Sequence, residues 1–288
     1  MQKCLFCGVK NDFSKKLKVS SKYSYIECDE CGAGIINPMP TDKQIVKIYQ
    51  KKNYYHDLSK KKVSVFWKLV YSIKLFESPS EWVLGKFNLG RILDVGCGNG
   101  EFLSSLNDSG WETEGSDISK IAKEHTEDLI GRDKVKLGNF PKQNFKNKYD
   151  YVSFWHVLEH VNDPAKYVAK ANKILKKDGY ILGEVPNYDS ALLHMFGEKY
   201  SWLMLPEHKL YFSKKSLEMM LINAGFSDVN VFCPPRALSN FAQSCVKKLE
   251  VKGGQGAMLL LFLPFSLVFG IIASIMNRGE VLRFYAKK

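Results

Sequence analysis

The sequence predicts an α/β protein built on a doubly wound, mostly parallel sheet. From Leu89 onward, short apolar runs alternate with helix-length segments, which is typical of parallel strands covered by helices on both faces. A glycine-rich turn at Gly96, Gly98 and Gly100 directly follows the first apolar run. Two Cys-x-x-Cys pairs precede the alternating region. These three observations divide the chain into a small cysteine-rich N-terminus and a larger α/β domain.

The first strand of this domain is predicted over 91–95. Asp94 lies at its carboxyl end, where ligands bind in open α/β sheets. Gly96 and Gly98 allow a tight turn that approaches a ligand, and Gly100 allows the next helix to pack close to the strand. The later elements are predicted as helix 100–109, strand 112–116, helix 119–130, strand 134–138, strand 149–155, helix 163–176, strand 179–184, helix 213–224, strand 228–232 and strand 280–286.

An acidic residue after the second strand supports a nucleoside ligand. Asp117 follows Gly98 by 19 residues, about where a ribose-binding carboxylate belongs. The glycines are spaced Gly-x-Gly-x-Gly and not as the dinucleotide pattern Gly-x-Gly-x-x-Gly. This spacing favours an adenosine derivative without a pyrophosphate.

These motifs, together with the stretch Trp155-His156-Val157-Leu158-Glu159-His160-Val161-Asn162-Asp163-Pro164, resemble class I S-adenosylmethionine-dependent methyltransferases. The resemblance covers roughly residues 88–232 and the last ten residues. It implies a seven-stranded sheet whose edge is an antiparallel pair, 228–232 and 280–286, and S-adenosylmethionine as cofactor. The alternative is a Rossmann-like domain with another ligand. The resemblance implies cofactor contacts from Asp94, Gly96, Cys97, Gly98, Gly100, Asp117, Ile118, Asn139, Phe140 and Trp155.

Two of these residues differ from the usual pattern or have a second interpretation. The resembling family often has an Asp that contacts the adenine amine where this chain has Asn139, whose side-chain oxygen can still accept that bond. Phe140 either stacks on adenine or is an ordinary core aromatic.

The N-terminal cysteines predict a zinc ribbon. Cys4-x-x-Cys7 and Cys28-x-x-Cys31 are separated by 20 residues, a spacing typical of four-thiolate zinc sites. Because all four positions are Cys, the site is expected to be closed and structural. Disulfides are the alternative, but seven cysteines without a signal peptide favour a reducing cytosol.

Composition fits one large domain with an appendage. The predicted units are the ribbon at 1–40, a helical linker or lid at 41–88 and the α/β domain at 89–288, with a hydrophobic insertion at 256–277. The linker has candidate helices at 42–51 and 63–76. The second helix either packs on the sheet or forms a lid or a membrane-facing helix. Net charge is +12, which favours acidic partners, although a lysine-rich composition bias explains it equally well.

The insertion predicts contact with a membrane. Residues 257–276 carry no charge and are long enough to span a bilayer. Pro264 interrupts a helix, and a strand at 280–286 returns the chain to the sheet. We therefore expect two short helices that dip into one leaflet or cover the sheet. The protein would be cytoplasmic, peripheral or monotopic at the inner face of the cell membrane.

The residues after the fourth strand supply candidate catalytic groups. If a helical turn begins there, His156, Glu159 and His160 share one face, and His suits general base work. The stretch resembles O-methyltransferases of ubiquinone biosynthesis and of small-RNA 2′-O-methylation, in which carboxylates and histidine hold a divalent metal. There a Glu stands at the position of His156, so magnesium is disfavoured here. A purely structural role for Glu159 and His160 is the alternative.

A second base candidate is His208, in Pro206-Glu207-His208 before a Phe-Ser helix start. This pattern is similar to many small-molecule and sugar methyltransferases; the alternative is a hinge histidine that is bonded to the lid. The ribbon and fold also resemble bacterial deoxysugar C-methyltransferases, but those carry an extra C-terminal domain for which this chain has no room. The expected acceptor is therefore a small molecule, either a sugar or a lipid-linked glycan precursor.

Two other classes of protein compete with this prediction. An RNA methyltransferase would use the ribbon and the positive charge on phosphates. The chain lacks a clustered basic stripe and an Asn-Pro-Pro-Tyr-type motif, so nucleic acid is disfavoured as a partner. The third class, a catalytically silent membrane adaptor, conflicts with the intact glycine turn and Asp117.

Overall fold

The computed structural model describes residues 2–41, Gln44, 77–235, 239–249 and 255–288. The helices predicted at 42–51 and 63–76 lie outside the described residues, apart from Gln44. Most of the predicted linker or lid at 41–88 therefore does as well. Its described end forms one helix, α1 (Pro79–Lys86), whose N-terminus is closed by a capping box between Ser78 and Glu81.

The N-terminal segment folds into short antiparallel strands, as a ribbon does. The pair β1 (Gln2–Lys3) and β2 (Lys10–Asn11) flanks the first cysteine turn. A second sheet contains β3 (Lys15–Lys18), β4 (Ser24–Glu27) and β5 (Gly34–Asn37). Gly8 and Gly32 have φ of +74° and +70°, a region that favours glycine, and each donates its N–H back to the first Cys of its knuckle.

The α/β domain contains the predicted seven-stranded, mostly parallel sheet. Its strand order is β12-β13-β10-β9-β6-β7-β8, and the edge strand β12 pairs antiparallel with its neighbour β13, as predicted. The order reverses between β6 and β9, which creates the crevice where open α/β sheets bind ligands. The strands are β6 (Arg91–Val95), β7 (Glu112–Asp117), β8 (Val135–Leu137), β9 (Tyr149–Trp155), β10 (Leu175–Pro186), β12 (Ser227–Phe232) and β13 (Val281–Lys287).

Helices cover both faces of this sheet, as the alternation of the sequence predicts. Ser119, Asp163 and Ser213 each cap a helix by accepting a backbone N–H from its first turn, the role that these residue types favour. The helices after α1 are α2 (Glu101–Asp108), α3 (Lys120–Ile130), α4 (Pro164–Ile174), α5 (Ala191–Phe196), α6 (Lys214–Asn223), α7 (Ser239–Lys248) and α8 (Gln255–Ile275).

The ribbon and the α/β domain share one sheet and one core. Strand β11 (Leu210–Tyr211), from the α/β domain, pairs antiparallel with β5. Phe6 meets Phe212 edge to face at 4.9 Å between ring centroids. The four ribbon cysteines are buried in the same apolar cluster as the strands of the main sheet. The ribbon therefore packs on the α/β domain through β11 and a shared apolar core.

The hydrophobic insertion differs from its prediction. Instead of two short helices, it forms a single helix, α8, that continues through position 264. The ring of Phe241 in α7 contacts Phe262 before that position and Phe269 after it. Packing on both sides of the proline holds the two halves in line despite the lost backbone donor. Within the described part of the chain, no helix meets the length and hydropathy needed to cross a membrane.

Candidate active site

The predicted site residues converge at the carboxyl ends of the parallel strands. Strands β10, β9, β6 and β7 are parallel neighbours, so their carboxyl ends lie side by side. The loops after β6 and β7 carry the glycine-rich turn and Asp117. The loops after β9 and β10, with the segment before β11, carry the histidines and carboxylates.

We call the first group the cofactor half, defined by Asp94, Gly96, Gly98, Gly100 and Asp117. The second group is the acceptor half, defined by His156, Glu159, His160, Glu184 and His208.

The three glycines of the cofactor half have different surroundings, although all have positive φ between 55° and 79°. A Cβ at Gly96 would lie 2.5 Å from Val157, and one at Gly100 would lie 2.9 Å from Thr126. A Cβ at Gly98 would have no neighbour closer than 3.9 Å. Gly98 therefore borders the space where a ligand would lie. Gly100 permits close packing on α3, and not on the preceding strand as the sequence suggested.

Asp117 holds the glycine-rich turn against β7. One carboxylate oxygen accepts the N–H of Gly98 at 3.1 Å, and the other accepts the N–H of Ser119 at 2.8 Å. The side chain is buried, and burial raises its pKa despite these bonds. Each oxygen has a second lone pair, so the carboxylate keeps capacity for the ribose hydroxyls assigned to it from the sequence.

Asp94 is the most deeply buried carboxyl of the cofactor half. It is 3% exposed and accepts a hydrogen bond from the Ser153 hydroxyl at 2.7 Å. Burial raises the pKa of Asp94 to about 8, against the opposing effect of the Ser153 bond. Next to it, Cys97 is buried beneath the turn, and the Thr126 hydroxyl points at its sulfur from 3.6 Å. Burial therefore favours the neutral form of the Asp94 carboxyl.

The other residues assigned to the cofactor occupy mixed environments. Ile118 is 67% exposed beside Asp117. Trp155 packs on Phe102 at 5.2 Å, and its buried indole Nε1 has no hydrogen-bond partner in the described structure. Asn139 is exposed, and its side-chain oxygen is 3.4 Å from the hydroxyl of Tyr167. These positions leave the assignments of Ile118, Trp155 and Asn139 open as predictions.

Phe140 takes the core position of its two predicted alternatives. It is 2% exposed and packs on Phe154 and Tyr167 at 5.8 Å each. Its ring is covered by protein on these sides, because the short helical turn at Phe140–Lys142 directs it under β9. Adenine stacking on Phe140 is therefore not supported.

The acceptor half begins with a turn and not with the helical turn that the sequence suggested. His156 has φ of +56°, a left-handed conformation that is uncommon for a residue with a side chain. His160 donates its N–H to the Val157 carbonyl, which closes a single tight turn. This turn still brings Glu159 and His160 inward, because it folds back against the end of β10 where Glu184 lies.

His156 lies between two buried carboxylates. Its Nδ1 is 3.2 Å from Glu159 and its Nε2 is 3.2 Å from Glu184. Burial would lower the pKa of His156, but the hydrogen bonds and charges of Glu159 and Glu184 raise it to about 9. Both ring nitrogens therefore carry protons at neutral pH and donate to carboxylates. In this arrangement His156 is a cation that contacts Glu159 and Glu184, and this disfavours the general-base role predicted for it.

Two residues of this network were missed by sequence analysis. Glu184, at the end of β10, and Arg283, in β13, form a buried pair at 3.0 Å, with exposures of 0% and 1%. The Arg283 guanidinium also lies over the rings of Trp82 and Trp155. A charge within the apolar run of each strand, between Gly183 and Val185 and between Leu282 and Phe284, was the available signal. The antiparallel register of β10 with β13 places the two directly opposite one another.

Glu159, His160 and His208 form a second cluster of the acceptor half. Their ligating atoms all lie within 4.8 Å of one another. Glu159 is fully buried, and its Oε2 has no hydrogen-bond partner in the described structure. His160 donates from Nδ1 to the Glu207 carbonyl at 2.9 Å, so its Nε2 carries the lone pair. Burial lowers the pKa of His208 to about 3, which keeps its imidazole neutral.

These three side chains fit a divalent transition metal. One carboxylate with two neutral imidazoles is a common ligand set for such metals, whereas magnesium prefers oxygen ligands throughout. The backbone carbonyl that orients His160 is a typical outer partner of a metal-binding histidine. The buried Oε2 of Glu159 has no hydrogen-bond partner in the described structure, and a bound cation would satisfy it.

The cysteine-rich N-terminal segment holds the segment that carries His208. The Tyr25 hydroxyl donates to the His208 carbonyl at 2.7 Å, and the Ile36 N–H donates to the Lys209 carbonyl at 2.9 Å. Trp202 meets the rings of His156 and His208 edge to face at 5.4 and 5.7 Å. The N-terminal segment thus holds the backbone at His208, and Trp202 contacts the imidazole ring.

The four ribbon cysteines come together as predicted. Their sulfurs lie within 4.8 Å of one another, with Cys4 to Cys31 at 3.7 Å and Cys7 to Cys28 at 3.9 Å. Four thiolates around one zinc, each about 2.3 Å from the metal, lie about 3.8 Å apart. The sulfur positions therefore fit a tetrahedral zinc site closed to solvent.

Comparison with known proteins agrees with this architecture. A family model described as a methyltransferase domain matches residues 71–231, more than half of the chain. The chain is 31% identical over 146 residues to a ubiquinone biosynthesis O-methyltransferase of Hydrogenovibrio crunogenus. It is 29% identical over 136 residues to the protein of the same name from Leptothrix cholodnii. These matches cover 46% and 44% of this chain and span 61% and 57% of the two relatives.

A solved structure extends the comparison to the fold. A protein from Thermotoga maritima described as a SAM-dependent methyltransferase superposes with a TM-score of 0.51 at 18% identity, over 85% of this chain and 97% of its own. At this identity the superposition supports the fold alone. The family match supplies the rest: this chain belongs to the methyltransferase domain family.

Proposed function

We propose that the protein transfers the methyl group of S-adenosylmethionine to a hydroxyl group of a small-molecule acceptor. The observation that carries the proposal is the division of one sheet edge into a cofactor half and an acceptor half. Gly96 of the cofactor half packs directly on Val157, the residue after His156 of the acceptor half, so the two halves adjoin. The O-methyltransferase names of the relatives favour oxygen as the acceptor atom.

The cofactor half has the features that S-adenosylmethionine requires. The open space beside Gly98 admits a ligand close to the backbone, and Asp117 offers lone pairs to ribose hydroxyls. Bound there, the cofactor supplies an electrophilic methyl group on a sulfonium. The remaining task of the protein is to align the acceptor and to remove its proton.

His160 is the best-placed group to take that proton. Its tautomer leaves Nε2 as an acceptor, whereas both nitrogens of His156 face carboxylates. His208 is buried and neutral, and its lowered pKa makes it a weak base. Glu159 and Glu184, balanced by His156 and Arg283, provide a buried network without net charge around the reacting hydroxyl.

The same cluster supports a second arrangement, because Glu159 leaves one oxygen without a hydrogen bond. In this arrangement Glu159, His160 and His208 would hold a transition metal. A metal there would lower the pKa of a bound hydroxyl. Elemental analysis separates the two arrangements: a second metal that disappears in Glu159→Gln, while the ribbon zinc stays, supports the metal site.

For the acceptor class, we propose a sugar or a lipid-linked glycan precursor. Support comes from the pairing of an N-terminal ribbon with this fold, which resembles deoxysugar methyltransferases. The test is transfer of radiolabelled methyl from S-adenosylmethionine to nucleotide sugars, polyprenyl-phosphate-linked sugars and RNA. Labelled glycan that is lost in His160→Gln, with cofactor affinity retained, supports the proposal. Labelled RNA, or no loss in His160→Gln, would contradict it.

A further inference from the structure

Helix α8 presents a broad apolar surface to solvent. Its described exposed side chains are all large and hydrophobic, with exposures from 49% to 77%. They follow helical spacing and span an arc of about 140° at 100° per residue, wider than a coiled-coil seam. We call this surface the α8 face. Its members are Leu261, Phe265, Val268, Ile271, Ile272 and Ile275 of α8, with Met276 directly after the helix.

The opposite side of α8 is packed on the protein. Ser266 and Ala273 are buried, and Phe269 stacks on Phe241 of α7 at 5.2 Å. The helix is therefore fixed in rotation, and its exposed stripe is not the result of a loosely attached segment. Apolar patches of this size on one side of a folded protein usually mark a binding surface.

Both ends of α8 return to the domain. Before the helix, α7 packs alongside it; after the helix, the Arg278 N–H donates to the Ala273 carbonyl and the Ser274 hydroxyl donates to the Cys233 carbonyl. Strand β13 then begins at Val281 in the main sheet. The α8 face consequently lies along the surface of the domain, as an interfacial helix lies along a bilayer.

The charges near α8 indicate what covers the α8 face. The helix itself carries no charge from Gln255 to Ile275. Exposed cations flank it in the chain: Lys247 and Lys248 in the last turn of α7, and Arg278 after its end. A helix that pairs with a second copy would carry charges beside its apolar seam to fix partner and register. An apolar stripe with cations at both ends instead matches an anionic lipid surface.

We propose that the α8 face docks the protein on the surface of an anionic bilayer, with the helix parallel to the membrane plane. The contacts of α7 connect this surface with the acceptor half. Asn240 and Ser244 of α7 hold Ser201, the neighbour of Trp202, whose ring covers His156 and His208. Delivery of a lipid-linked acceptor along this route rests on the proposed function; docking on the membrane does not.

The test is flotation of the intact protein with vesicles of phosphatidylcholine and phosphatidylglycerol, beside vesicles of phosphatidylcholine alone. The variant Phe265→Glu/Val268→Glu/Ile272→Glu changes the α8 face. The matched control Leu89→Glu/Leu129→Glu/Ile222→Glu places the same charges on exposed apolar positions elsewhere. We expect wild type and control to float with anionic vesicles and less with neutral ones. The α8 variant should bind at least about tenfold more weakly.

A fluorescent variant tests the same proposal without introducing charges into the α8 face. Phe265→Trp should shift its emission to the blue on anionic vesicles and should be quenched by brominated acyl chains. S-adenosylmethionine affinity, measured on every variant, reports folding and tests the proposed function separately. Wild type that stays in the soluble fraction with both vesicles would overturn the proposal. So would a wild-type dimer in buffer that the α8 variant abolishes, since a second copy would then cover the face.

Discussion

The two halves of the site are built by different physical means. The cofactor half comes from two adjacent strands, and its specific groups are backbone turns and two carboxyls. The acceptor half draws on β9, β10, the segment before β11 and, through Arg283, on β13. It buries two carboxylates, a cation and a neutral imidazole in contact. One half depends on local backbone geometry, and the other depends on the whole fold being in place.

The sharpest test of this difference is to remove the zinc that is predicted to bind the four ribbon cysteines. Cys28→Ser should release the metal and lower the free energy of unfolding by on the order of several kcal/mol, since structural zinc contributes folding energy. Elemental analysis should give about one zinc fewer per chain than wild type, the content of one closed four-thiolate site.

Loss of the metal should weaken the structure of the acceptor half and leave the cofactor half unchanged. Because the ribbon contacts the backbone at His208 and Lys209, hydrogen exchange of amides 209–212 should accelerate, while amides 92–97 keep their protection. Cys245→Ser, at a partly exposed cysteine outside the ribbon, is the matched control. Equal deprotection of both segments would show that the ribbon supports the whole domain and not the acceptor half.

Breaking the Glu184–Arg283 pair should have the next largest effect. Arg283→Met removes the buried arginine from Glu184 and leaves His156 as its nearest described cation; breaking a buried pair of this kind costs about 3–5 kcal/mol. Chemical denaturation measures the change. Lys287→Met removes a charge from the same strand, but its partner Asp178 is exposed, so its effect should be small. Equal destabilisation by both variants would contradict the expectation that a buried ion pair costs more to break than an exposed one.

Asp94 predicts a pH dependence that comes from the cofactor half. Its pKa in the folded protein, about 8, lies above the unfolded value near 3.9. The folded state therefore holds a proton that the unfolded state loses, and this stabilisation is complete below pH ~4 and lost as pH rises through ~8. Asp94→Asn mimics the neutral carboxyl, so the stability of this variant should not fall with rising pH for this reason.

The difference between Asp94→Asn and wild type should therefore grow by on the order of a few kcal/mol from pH ~5 to ~9. Thermal unfolding without cofactor, at several pH values in this range, measures it. Asp108→Asn, an exposed acid at the end of α2, serves as control. Parallel curves for Asp94→Asn and wild type would mean that Asp94 is already ionised in the fold.

The same division explains what the sequence predicted well. The strand and helix pattern, the antiparallel edge and the grouping of the cysteines depend on local periodicity and short spacings, and they are confirmed. The turn at Gly96 and its link to Asp117 also lie within one βαβ unit. Such features are visible because the residues that make them are close in sequence.

The acceptor half could be predicted only as a set of residues. His156, Glu159, His160 and His208 do meet, but their roles depend on partners far away in the chain. His156 is a cation because Glu184 reaches it from the next strand, and no periodicity signals that contact. The helix through Pro264 was missed for the same reason: Phe241 holds it from another helix.

The most direct test of the account is calorimetric affinity for S-adenosylmethionine in two variants. Asp117→Ala, in the cofactor half, should lose roughly 2–3 kcal/mol, about 30- to 150-fold in affinity, because charge-assisted bonds to ribose disappear. His160→Gln, in the acceptor half, should bind within about twofold of wild type, as expected for a site that does not contact the cofactor. Wild-type affinity in Asp117→Ala, or a comparable loss in His160→Gln, would contradict the division of the site.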